Sequence, residues 1–128
     1  MRFYLHTLTF LVFLGLWTWK LLEPHPVPEE LSEGLAALEL NYLAAKSLHA
    51  GGYAFLTVLA GTLPVPQRWR YFLIGLLICH GVASEIGQYL MEVGRTGRVS
   101  DVLIDWVGIT AGVLVIRWWD RRKPTTSR

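Results

Sequence analysis

The chain has 128 residues, of which 52% are hydrophobic and 17% charged, and its formal net charge is +2. That length bounds it to a single domain over 1–128. The charged share falls well below the roughly 25% of soluble domains, which argues for a membrane. So slight a charge balance gives no sign of a nucleic-acid partner.

Taken in chain order, the first apolar run covers 4–22 and is broken only by Lys20. It meets the ~20 residues needed to cross a ~30 Å hydrocarbon layer. Arg2 ahead of an apolar stretch is also how a signal peptide begins. Here Trp17, Trp19 and Lys20 stand where small cleavage-site residues would be, so a retained helix is expected. The next segment is acidic, with Glu23, Glu29, Glu30, Glu33 and Glu39, and its EPHPVPEE stretch cannot be helical throughout. After it, LSEGLAALELNYL places Leu31, Leu35 and Leu38 on one face, predicting a short outer interfacial helix over 31–43. A second apolar run covers 46–63, a third 71–91 and a fourth 101–119, followed by a basic tail over 120–128. The expected fold is all-α: a polytopic membrane protein built as a bundle of four transmembrane helices, with the short outer helix added. The single cysteine, Cys79, lies in the middle of the third run and is expected to be a small buried hydrophobe.

Basic residues gather at the ends that share one side if four helices alternate. These are Arg2 before the first, Arg68 and Arg70 in the PVPQRWR turn, and Arg117, Arg121, Arg122, Lys123 and Arg128 at the end. The positive-inside rule then predicts a multi-pass membrane protein with both termini and the PVPQRWR turn cytoplasmic. Arg95 and Arg98, on the outer side, are not needed for that topology.

With depth assigned, the polar residues converge. Lys46, His49 and Tyr53 share a face in the outer half of the second helix. Glu85 and Gln88 lie in the outer half of the third, on the face of Gly81. In the fourth, Asp101, Asp105, Gly108 and Gly112 form one narrow stripe, with Ser100 as a plausible cap. Ionisable groups within spans are unfavourable by roughly 2.5–3.5 kcal/mol each at the bilayer centre, so they are expected to face one another. The glycines at 81, 108 and 112 are expected to let the helices approach closely. Each residue also has a plainer role available. His49 can be a packing histidine, Asp101 a cap, and Arg95 and Arg98 solvated loop charges. Glu85 and Asp105, inside apolar runs, are harder to explain that way. One histidine and separated carboxylates lack a diagnostic metal-ligand spacing, so no metal and no cofactor are expected. His80 is placed deeper than the cluster and left out of it.

The texts KSLHAGGY (46–53), SEIGQ (84–88) and GRVSDVLIDWVGITAG (97–112) together resemble the VanZ-like membrane protein family, over a core of 46–112. The matching positions are Lys46, His49, Tyr53, Glu85, Gln88, Arg98, Asp101, Gly108 and Gly112. Where the family commonly has asparagine, this chain has Asp105, which adds a proton acceptor. The resemblance implies a small cell-envelope membrane protein; the founding member is linked to low-level resistance to the glycopeptide teicoplanin. It implies no particular reaction.

Two kinds of function fit. In the first, Lys46, Arg95 and Arg98, with Tyr53 and Gln88, bind the head group of a membrane lipid or lipid-linked glycan. His49 and Glu85 would then be the general acid/base candidates, and Asp101 or Asp105 would orient or accept protons. No nucleophile is evident. In the second, the protein is a non-catalytic lipid- or antibiotic-binding protein or a scaffold for an envelope enzyme. A small transporter, formed as a homo-oligomer, is a third alternative with less support, because no inverted repeat is visible.

Overall fold

The computed structural model describes residues 2–23, 33, 41–91 and 98–122. Four helices account for nearly all of them: α1 (Arg2–Leu22), α2 (Asn41–Thr62), α3 (Gln67–Met91) and α4 (Val99–Arg122). Three of these, α1, α3 and α4, are long and apolar enough to cross a membrane. The expected outer helix over 31–43 and the basic tail beyond 122 lie largely outside the described residues, as does Arg95.

Several helices overrun the apolar runs that announced them. α2 begins at Asn41 rather than near 46, and α3 at Gln67 rather than 71. Hydropathy marks depth in a bilayer, whereas a helix continues until its backbone bonds are capped. Between α2 and α3 the stop is Pro64. Pro66 then starts the next helix, its carbonyl accepting from the N–H of Trp69 at 2.9 Å. The Arg70 guanidinium donates to the Val65 carbonyl at 3.2 Å and closes the turn. α4 starts at Val99, so Ser100 is not its cap. The carbonyl of Arg98 accepts from the N–H of Asp101 at 2.8 Å, and Ser100 lies inside the first turn.

Contacts between side chains set the helix directions. Thr18 meets His80, and the Leu21 carbonyl meets Gln88, so α1 and α3 run the same way. Lys46 meets Asp101, His49 meets Asp105 and Ala54 lies against Gly112, so α2 and α4 also run parallel to each other. Phe13 stacks edge-on with Phe55, while Trp17 reaches His49 and Gly52, which makes α1 and α2 antiparallel. Successive helices therefore alternate in direction. α2 packs most extensively against α4 and also touches α1 and α3.

The distribution of polarity is inverted relative to a soluble bundle. Leu11, Phe72, Leu76, Ile86, Val107 and Leu114 are exposed, while His49, Glu85, Gln88, Asp101 and Asp105 are buried. Apolar residues such as Leu56 and Leu77 are buried as well; the exterior is apolar while the polar groups are held inside, which is what a bilayer selects. Cys79 belongs to that exterior and is exposed, contrary to expectation. The inward stripe of α3 is Leu77, Gly81, Ser84, Glu85 and Gln88. Two residues past Leu77, at ~100° per residue, lies the opposite face.

Candidate functional site

The end of the bundle formed by the C-termini of α1 and α3 and the N-termini of α2 and α4 holds a ladder of polar side chains. Its outermost step is an ion pair between Lys46 and Asp101. Asp101 sits in the first turn of α4, where the helix dipole favours a carboxylate, and the Ser100 hydroxyl donates to it at 3.1 Å. The Lys46 ammonium also lies 5.0 Å from the ring centre of Tyr42.

One turn further in, the Nδ1–H of His49 donates to the Asp105 carboxylate at 2.9 Å. Both side chains are buried, Asp105 completely. Beside them Glu85 accepts the backbone N–H of Arg98 at 2.9 Å through Oε2. Since Arg98 precedes the first residue of α4, Glu85 does across two helices what the glutamate of a capping box does within one. Among the described residues, Glu85 Oε1 and Asp105 Oδ2 are buried without a hydrogen-bond partner. His49, Glu85 and Asp105 each offer a donor atom, and the three atoms lie within 4.8 Å of one another. Their separation in sequence gave no hint of this.

The innermost step was not foreseen from the sequence. The Thr18 hydroxyl donates to the Leu14 carbonyl at 2.8 Å and so must accept from His80 Nε2 at 2.9 Å. That assigns the tautomer of the neutral His80 ring, and its Nδ1 accepts the Tyr53 hydroxyl at 2.9 Å. The Ser84 oxygen is 3.4 Å from Tyr53 Oη and donates to the Gly81 carbonyl. His80 is indeed deeper than Glu85, but Tyr53 joins it to the cluster. A histidine four residues before Ser84 in an apolar run was the available signal. Trp17 of α1 closes this side, with its ring edge-on to Tyr53 at 6.0 Å and to His49 at 6.4 Å. Tyr53→Phe is expected to leave the His80 Nδ1 acceptor without its donor. The cost should be about 1–3 kcal/mol, read as a lower thermal midpoint in detergent.

The remaining residues expected at the site have other attachments. Gln88 donates its amide to the Leu21 carbonyl at 2.8 Å, satisfying one of the last carbonyls of α1. Arg98 is exposed at the rim and meets Glu85 through its backbone N–H. Gly81 faces the Asp105 carboxylate. Gly108 and Gly112 lie against the backbone of α2 at Ala50 and Ala54.

Two concavities flank the ladder at different levels. An apolar groove of about 290 Å³ between α1 and α2, lined by Phe13, Leu16, Trp17, Trp19, Gly52 and Phe55, opens beside Trp17. A cavity of about 580 Å³ at the opposite, basic end is lined by Arg70, Arg117 and Arg121 and shares no residue with the cluster.

The sequence profile of the VanZ/LLP1 family matches residues 10–120. No curated protein and no solved structure matches the chain. The matched span reaches into all four helices and takes in the whole polar ladder from Thr18 to Asp105. The chain therefore belongs to the VanZ/LLP1 family, as its three short motifs suggested.

Proposed function

We propose that the polar end of the bundle meets the charged head group of a cell-envelope lipid or lipid-linked glycan at the outer leaflet of a bacterial inner membrane. In this reading the chain crosses the bilayer four times with both termini cytoplasmic, so the arginine-rich end faces the cytoplasm. Support for a fourth span comes from α2 itself. It has 22 residues, about 33 Å at 1.5 Å per residue. It also lies antiparallel to α1 along its length. Its hydropathy is lowered by Lys46, His49, Tyr53 and Thr57, of which all but the half-buried Lys46 are buried, so none of the four needs to meet lipid.

The observation that carries the head-group reading is the buried His49–Asp105 pair beside Glu85, with one oxygen of each carboxylate left without a partner. Buried polar atoms are ordinarily satisfied, and two acceptor oxygens without partners suit a hydrogen-bond donor, such as a head-group or glycan hydroxyl, that arrives from outside. Lys46 and the exposed Arg98 supply cations at the rim, and the apolar groove beside Trp17 suits a lipid tail. If the site turns over, His49 and Glu85 are placed to exchange protons with the substrate, and Asp105 holds the imidazole. Hydrolysis or transfer at the head group would relate the protein to glycopeptide (teicoplanin) resistance through the envelope. The second reading is a non-catalytic binding or scaffold protein, including a partner of an envelope enzyme. It is favoured by Glu85 and Gln88, each of which spends an atom on the backbone of a neighbouring helix.

Native mass spectrometry of gently purified protein tests the head-group reading. Wild-type protein should leave the detergent with an acidic amphiphile bound. Combining Lys46→Met with Arg98→Ala should lower its retention roughly tenfold or more, the worth of one charge-assisted hydrogen bond. Equal retention by both proteins would sink the reading.

A further inference from the structure

The three donors brought together at the middle of the ladder have the composition of a metal site. We infer that His49, Glu85 and Asp105 bind a first-row divalent cation, such as zinc or manganese, with at least one coordination position left open. The inference goes beyond the head-group reading and does not need it.

Geometry comes first. Imidazole nitrogens and carboxylate oxygens bind zinc at about 2.0–2.2 Å, so donors on one ion lie at most about 4.4 Å apart. The three donor atoms here already lie within 4.8 Å of one another, and movements of a few tenths of an ångström close the difference. The His49 Nδ1 to Asp105 oxygen separation is 2.9 Å. With bonds of ~2.1 Å, adjacent ligands are about 3.0 Å apart on an octahedral ion and about 3.4 Å apart on a tetrahedral one, so this pair is at or near the spacing of adjacent ligands. On binding, the imidazole takes the tautomer protonated on Nε2, which frees the Nδ1 lone pair to face the cation in place of the N–H.

The second argument is independent of spacing. Glu85 is 5% exposed and Asp105 is fully buried, yet Glu85 Oε1 and Asp105 Oδ2 have no hydrogen-bond partner among the described residues. Removing a carboxylate from water without satisfying its oxygens is costly. Lys46 does not meet the need, since its ammonium is paired with Asp101 one turn away. A divalent cation held by Glu85 Oε1 and by both oxygens of Asp105 would engage these atoms and also bring positive charge to a site holding two carboxyls. Among the other described groups packed around it, the buried Trp17 Nε1–H is without a partner, and one neutral N–H does not balance two carboxyls. Tyr53 donates to His80, Ser84 donates to Gly81, and Trp17 presents a ring edge. One imidazole with two carboxylates selects a borderline cation over a soft one. With three protein ligands, the open position would be available to water or to a phosphate oxygen.

The test begins with full-length protein purified without chelator and measured for metals by mass spectrometry. The same preparation is stripped with EDTA and titrated with ZnCl2 and MnCl2 by calorimetry. About one cation per chain is expected, bound saturably. Glu85→Gln and His49→Gln should each weaken binding by about 100-fold or more, at or beyond the upper range for residues that only support ligands. Because either variant could misfold, Co²⁺ is added to stripped wild-type protein as a second measurement. Ligand-field absorption bands at one equivalent support the site, and their absence overturns it. Absence of metal with no saturable zinc or manganese binding overturns it too, as does unchanged binding in folded Glu85→Gln protein. Lipid retention is read separately, on the protein as purified and again after stripping. Metal bound without lipid defeats the head-group reading alone, and lipid retained without metal binding defeats this inference alone.

Discussion

Gly108→Ala is expected to destabilise the protein by about 1–3 kcal/mol, the usual cost of overpacking, whereas Gly15→Ala should leave it unchanged or slightly more stable. The contrast follows from what a methyl group meets. Alanine exceeds glycine as a helix former by about 1 kcal/mol, so an unhindered replacement favours the helix. At Gly15 nothing lies within 4 Å of the added carbon. At Gly108 the added carbon would collide with the backbone of Ala50 in α2, including its carbonyl oxygen. A side chain could rotate away, but backbone cannot, so α2 and α4 would have to separate. Gly112 sits one turn along the same seam, where an added carbon would come within 2.7 Å of the Ala54 carbonyl oxygen. Separation would also pull Lys46 from Asp101 and His49 from Asp105, because both pairs bridge these two helices. The measurement is the thermal midpoint of each variant in the same detergent. A Gly108→Ala midpoint equal to wild type would mean that α2 and α4 do not approach as closely as described.

How much of this could be read beforehand depended on the periodicities involved. The three apolar helices were legible because a run of about twenty apolar residues has few other uses. α2 was harder to place, since its inward stripe of Lys46, His49, Tyr53 and Thr57 lowers the hydropathy that announces a span. The same stripe was legible as a face, because residues three and four apart align on any helix. Pairing was not legible. Whether Asp101 meets Arg98, Arg95 or Lys46 depends on which helices are neighbours and how each is rotated, and neither follows from one helix's periodicity. The convergence of His49, Glu85 and Asp105 from three helices was invisible as a ligand set for the same reason. Cys79 was misplaced because an apolar surrounding in sequence cannot tell the lipid-facing side of a span from the packed side. His80 was set aside by depth alone, although its contact with Thr18 required α1, whose part in the ladder no motif announced.

Asp105→Asn is expected to separate stability from ligand binding more cleanly than any other substitution in the ladder. The asparagine carbonyl can still accept from His49 Nδ1–H, which preserves the 2.9 Å bond. Its amide would occupy the place of Asp105 Oδ2, a buried acceptor without a partner among the described residues, and would remove one of the two carboxyls buried together here. Relieving unsatisfied buried acceptors is worth up to about 1–3 kcal/mol, so the thermal midpoint should be maintained or rise. The same change removes a carboxylate ligand, and a neutral amide oxygen binds zinc or manganese far less well. Metal occupancy should therefore fall, while the helix contacts stay as they are. A protein that keeps its midpoint and loses its cation would mark Asp105 as a ligand-binding residue. A protein that loses several degrees of midpoint while still taking up about one cation per chain would mark it as a structural clamp for His49, and would remove it from the proposed ligand set.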